Sequence, residues 1–139
     1  MSRRGPGLDT SVVLRLLTGE PKDQADAASE FFEDLVGRGI RPCVSDQVVS
    51  ETYFALCYHY EAPKSEALKV LNAFVNGGEV ACLGVSGEIL KQANLAKTSP
   101  GFVDRVIHAQ YRAAGAAGMV TFEKSATRLP DVTLLGKRR

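Results

Sequence analysis

The chain has 139 residues, of which 45% are hydrophobic and 24% charged, and its formal net charge is +1. That length suits one domain, 1–139, with a buried core, and the near-neutral balance excludes a bulk polyanion binder, so any nucleic-acid contact must be local. Cys43, Cys57 and Cys82 lie far apart among apolar residues, which argues against a disulfide framework and for reduced thiols.

The opening Met1-Ser2-Arg3-Arg4-Gly5-Pro6-Gly7 is basic but is followed by no apolar h-region, and no later run reaches the length of a membrane span. A cytoplasmic protein is the expectation. Gly5, Pro6 and Gly7 are poor strand formers, so residues 1–7 read as a weak first strand or a tail. Thr10 then reads as the N-cap of a helix with Val13, Leu16 and Leu17 on one face, closed by Gly19. Pro21 opens a second helix to about Gly37, with Ala25, Ala28, Phe32, Leu35 and Val36 inward.

Ile40 to Val44 is β-prone, and Ser45 or Asp46 caps a third helix from Gln47 to about Tyr60 that carries Glu51. Pro63 starts a fourth helix with Leu68, Val70, Leu71 and Phe74 inward, ending before Gly77-Gly78. Glu79 to Leu83 is the next strand, and Ser86 caps a helix reaching about Lys97. Ser99 and Pro100 predict the N-cap and first position of a further helix, on which Phe102, Val106 and Ala109 form an apolar stripe widened by Val103 and Ile107. Gly118 to Phe122 and Asp131 to Leu135 are the last strands, before a basic tail at 136–139.

Strands alternating with helices of this length predict a three-layer α/β/α sandwich with a central, mostly parallel sheet of about five strands. In such sheets the strand C-termini and following helix N-termini share one edge, where sites form. Asp9 ends the first strand, Glu51 lies early in the third helix, Asp104 opens a helix, and Glu123 follows the strand ending at Phe122. Each acid alone has an ordinary reading: a helix-dipole partner for Asp9 and Asp104, a solvated face for Glu51, a turn residue for Glu123. Their common edge favours one site, and such a cluster repels itself unless cations neutralise it. Hard divalent ions prefer oxygen ligands, and a carboxylate cluster holding them suits hydrolysis of a phosphodiester.

The ordered motifs Leu8-Asp9-Thr10-Ser11-Val12-Val13-Leu14, Val44-Ser45-Asp46-Gln47-Val48-Val49-Ser50-Glu51, Phe102-Val103-Asp104-Arg105-Val106-Ile107-His108-Ala109 and Val120-Thr121-Phe122-Glu123 resemble the PIN-domain family over nearly the whole chain. Within it, the compact form is similar to VapC-type toxin ribonucleases. The resemblance implies a Mg²⁺- or Mn²⁺-dependent endoribonuclease acting on RNA, with Asp9, Glu51, Asp104 and Glu123 as catalytic metal ligands and Ser11 and Thr121 as hydroxyl support. It also implies a homodimer silenced by an antitoxin over the acidic edge. Two positions differ from the common family pattern: Glu123 stands where Asp is usual, and Ser125 where a second acid often follows. With the weak first strand they motivate a second reading, a non-catalytic PIN-like module that binds RNA or a protein. An α/β phosphate-handling enzyme that is not a nuclease is a third.

Other residues read more simply. Asp46 reads as a cap and His108 as a structural histidine. Tyr53, Phe54, Tyr58 and Tyr60 read as core, or as a dimer face. Arg15, Arg105, Arg112 and Arg128 are candidate phosphate guides or solvated surface. Only two histidines and no Cys-x-x-Cys pair argue against zinc, and neither a Walker loop nor a dinucleotide-binding glycine pattern occurs.

Overall fold

Strand β1 (Arg3–Gly7) forms from the stretch whose composition argues most strongly against a strand. In the computed structural model, which describes residues 3–136, main-chain pairing settles the matter. Arg3 and Arg4 lie opposite Ile40 and Arg41 of β2 (Ile40–Val44), and Gly7 lies opposite Cys43 after a register shift. The Arg3 N–H donates to the Gly39 carbonyl at 3.0 Å and the Leu8 N–H to that of Cys43 at 2.8 Å. Gly5 is needed for this approach, because a Cβ there would fall 2.5 Å from the Ile40 Cγ2. The weak first strand is therefore a strand. Met1, Ser2 and the basic tail beyond Gly136 lie outside the described residues.

The remaining strands are short. β3 (Ala81–Cys82) continues the parallel pairing on the far side of β2, and β4 (Met119–Thr121) pairs in parallel with β5 (Val132–Leu134). Among the described residues all strand pairs are parallel, and the five strands fall into a group of three, β1-β2-β3, and a group of two. β1 is a poor template for a second neighbour: Pro6 has no N–H to donate and the register breaks beside it.

Helices α1 (Thr10–Thr18), α2 (Lys22–Gly37), α3 (Asp46–Phe54), α4 (Lys64–Asn76), α5 (Ser86–Leu90) and α6 (Phe102–Ala113) connect the strands. No described helix is long and apolar enough to cross a membrane. The core joins Leu8, Val13, Val44, Val49, Leu71, Val80, Phe102 and Val106, so the predicted stripes of α1, α4 and α6 meet in one cluster. Two stripe edges are corrected. Val70 and Ile107 are exposed, because Ala67 and Val75 on α4, and His108 on α6, take the inward positions.

Helix boundaries differ from expectation at several places. α3 becomes a five-residue π-helix, Ala55–His59, instead of running as α-helix to Tyr60. α5 stops at Leu90, and Leu95–Lys97 is a separate 3₁₀ turn entered through Asn94 in the left-handed region at φ 60°. α6 has Gly101 as its N-cap in place of Ser99, with the Arg105 N–H donating to the Gly101 carbonyl.

Asp46 caps a helix, but not its own. Ser45 takes the α3 N-cap role, its hydroxyl accepting from the Val48 N–H at 3.2 Å. The buried Asp46 carboxylate instead accepts from the Val85 N–H at 3.0 Å, the Ser86 N–H at 2.9 Å and the Ser86 hydroxyl at 2.7 Å. The Gln110 amide of α6 donates to it at 3.1 Å. One carboxylate thus ties α3 to the start of α5 and to α6.

Burial pushes the Asp46 carboxyl up, but the donors from Ser86, Val85 and Gln110 together outweigh it and hold the group below its ordinary value of 3.8. A depressed carboxyl contributes stability above the unfolded value and loses it as pH falls through the folded one. Acid titration of stability should therefore steepen below about pH 4, and Asp46→Asn should be less stable at neutral pH with a shallower acid slope. Urea unfolding midpoints from pH 2 to 7 measure both.

Candidate metal-binding acidic edge

Asp9 occupies the N-cap position of α1, where β1 ends. Its backbone carbonyl accepts from the Val12 and Val13 N–H groups at 3.1 and 3.2 Å, while its carboxylate does not cap the helix and stays exposed. Thr10, expected as the cap, is the first helical residue, and its hydroxyl donates to the Glu51 Oε1 at 2.7 Å. The Gln47 amide, one turn earlier on α3, donates to the other Glu51 oxygen at 3.2 Å. Two donors therefore orient the Glu51 carboxylate towards the start of α1 and bring the Asp9 and Glu51 segments together.

Asp104 lies in the first turn of α6, exposed, and lines a groove together with Tyr53 and Phe54 of α3. Those two residues follow Glu51 on the same helix, so α3 borders two of the predicted acids. Burial pushes the Tyr53 phenol up to about 12, aided by its Cys57 and Tyr58 neighbours, and keeps it a neutral donor. Tyr53 also meets the Phe102 ring edge-on at 5.3 Å, fixing the start of α6 against α3.

Glu123 stands just past β4, and its N–H donates to the Thr121 hydroxyl at 3.0 Å. The Thr121 oxygen is thus occupied in a local turn. Ser11 reaches the Asp9 Oδ2 only at 3.5 Å, a marginal contact. The hydroxyl that engages an acid is Thr10, a residue the sequence reading assigned to capping. The Thr10–Glu51 pair spans 41 positions, so no local signal announces it.

Asp9, Glu51, Asp104 and Glu123 are all exposed, and none of them forms an ion pair with a described Lys or Arg. Exposed carboxylates without a cationic partner are the donor set a hard divalent cation takes, so the chemistry of these residues fits such an ion. The side chains are not already gathered: among the described residues no three His, Cys, Asp or Glu side chains form a metal-binding group. The structure joins Asp9 to Glu51 through Thr10 and leaves Asp104 and Glu123 on separate elements.

Neighbouring candidates resolve into structural roles. His108 is buried, with its Nε2 2.7 Å from the Pro130 carbonyl, which ties α6 to the segment leading into β5. Arg15 donates to Gln24, Arg105 to the Pro100 carbonyl and Arg128 to that of Ser99, while Arg112 pairs loosely with Asp131 at 3.8 Å. All four arginines considered as phosphate guides have protein partners.

A family model described as the PIN domain matches residues 8–132, which spans all four acids. No curated protein matches the chain.

Proposed function

The chain belongs to the PIN-domain family, and from that footing we propose that it is a Mg²⁺- or Mn²⁺-dependent endoribonuclease that serves as the VapC-type toxin of a toxin–antitoxin pair. PIN domains are in general metal-dependent nucleases. The observation that carries the reading to this chain is that Asp9, Glu51, Asp104 and Glu123 all lie within the matched span, solvent-exposed and without a cationic side-chain partner among the described residues.

Asp9, Glu51, Asp104 and Glu123 would hold the metal. When bound, the metal supplies a Lewis acid for the phosphodiester and lowers the pKa of its water. The chain's own contribution is orientation. Thr10 and Gln47 hold the two oxygens of Glu51, Asp9 directly precedes Thr10 at the start of α1, and the first turn of α6 carries Asp104. The toxin reading adds a second copy of the chain and an antitoxin lying over the acidic edge as partners.

Incubation of the purified chain with folded total RNA is expected to give discrete fragments with Mn²⁺ and none with EDTA. Absence of cleavage together with absence of Mn²⁺ binding would overturn the reading. That result would favour a PIN-like module that binds without cutting, a reading supported by the absence, among the described residues, of three acids gathered into one metal-binding group.

A further inference from the structure

The α3 helix does not end on Asp104's groove as an ordinary helix. It passes into the π-helix Ala55–His59, a rare geometry that is enriched where a side chain has a task. Within it Tyr58 is 74% exposed, beside Phe54 at 44%. The two rings stack obliquely, with centroids 5.9 Å apart and planes 30° from parallel. Behind them Tyr53 is buried against Phe102. The result is an aromatic ledge with a firm back and an open face.

The ledge lines a cavity of about 220 Å³ whose wall also includes Lys64 and Asp104. Two exposed stacked rings, one cation and one predicted metal ligand therefore border one groove. Stacking on exposed aromatic faces recognises unpaired bases, and a neighbouring cation takes the phosphate between them. A second copy of the chain fits less well, because the centre of a protein interface is depleted of charge, whereas this groove has a charge of each sign along it.

We propose that the Phe54–Tyr58 ledge is a base-stacking subsite for single-stranded RNA, with Lys64 on the phosphate, which leads an unpaired segment to Asp104. The inference rests on the nuclease reading for its ligand class. It implies that the chain selects unpaired RNA over duplex, because bases in a duplex cannot lie on a ring.

The test is binding of a fluorescein-labelled RNA hexamer, single-stranded or as a blunt duplex of the same sequence, to the full chain in Ca²⁺, with intact probe verified on a gel. The single strand should bind more tightly than the duplex. Tyr58→Ala should weaken single-strand binding about tenfold, with no change in the thermal midpoint because the ring is exposed, and Tyr58→Phe should restore it. Lys64→Gln should weaken binding and flatten its salt dependence. Unchanged affinity in Tyr58→Ala would overturn the proposal. So would a fall in oligomeric size in that variant by light scattering, which would make the ledge a contact between copies. Binding that depends on Tyr58 without any cleavage would retain the ledge and reject the nuclease; cleavage and binding indifferent to Tyr58 would do the reverse.

Discussion

Asp104→Asn is expected to abolish metal-dependent cleavage of RNA while leaving the fold intact. The substitution keeps the side-chain volume and removes the charge that a divalent ion requires. A metal centre supplies several kcal/mol of transition-state stabilisation, so losing a ligand should lower the cleavage rate by about 10²–10³-fold or more. The structure makes the result interpretable. Asp104 is exposed and has no ion pair among the described residues. The start of α6 is held without it, by the Gly101 cap and by Phe102 packed on Tyr53. Dipole support from one acid in a first turn is below about 1 kcal/mol. Rates on the RNA that the parent cuts, with circular dichroism and thermal melts alongside, check both halves. A folded Asp104→Asn that cuts at the parent rate would remove Asp104 from the site.

Glu51 invites the contrasting comparison, since it has been given partners where Asp104 has none. The sequence places both acids correctly on their elements: Glu51 follows the capping signal of α3, and Asp104 shares α6 with the stripe of Phe102 and Val106, which is buried. What periodicity does not carry is pairing across the chain. Thr10 looks like a cap from its neighbours and becomes the donor to Glu51 only because α1 and α3 meet. Asp46 likewise looks like a cap for α3, yet its partners lie 39, 40 and 64 positions away.

The same limit explains β1. Its residues have low strand propensity, and the ladder to β2, with room made by Gly5 against Ile40, is a tertiary effect that overrides it. The π-helix is invisible for the opposite reason. The sequence from Asp46 to Tyr60 is helical in pattern throughout, and a change from i+4 to i+5 bonding alters which side chains face out without altering the composition. Tyr58, which reads as core or dimer face from its neighbours in sequence, is exposed, and that excludes only the core.

Gly84→Ala should be strongly destabilising, although Gly84 is exposed and its change adds only a methyl group. A Cβ at this position would fall 2.1 Å from one Asp46 carboxylate oxygen and 2.6 Å from the other. Neither side can yield cheaply. The carboxylate is fixed by four donors, three of them from Val85 and Ser86 immediately after the glycine, so moving the backbone away from the oxygens also moves the donors. If Asp46 moves instead, a buried charge loses its hydrogen bonds, each worth about 1.5–3 kcal/mol. The expected loss is about 3 kcal/mol, read as a lower urea midpoint at unchanged slope. A double variant separates the cause from a general intolerance of alanine. With Asp46→Ala already in place the clashing oxygens are gone, and the added effect of Gly84→Ala should shrink to a few tenths of a kcal/mol. Full additivity of the two would show that Gly84 is needed for something other than the space Asp46 occupies.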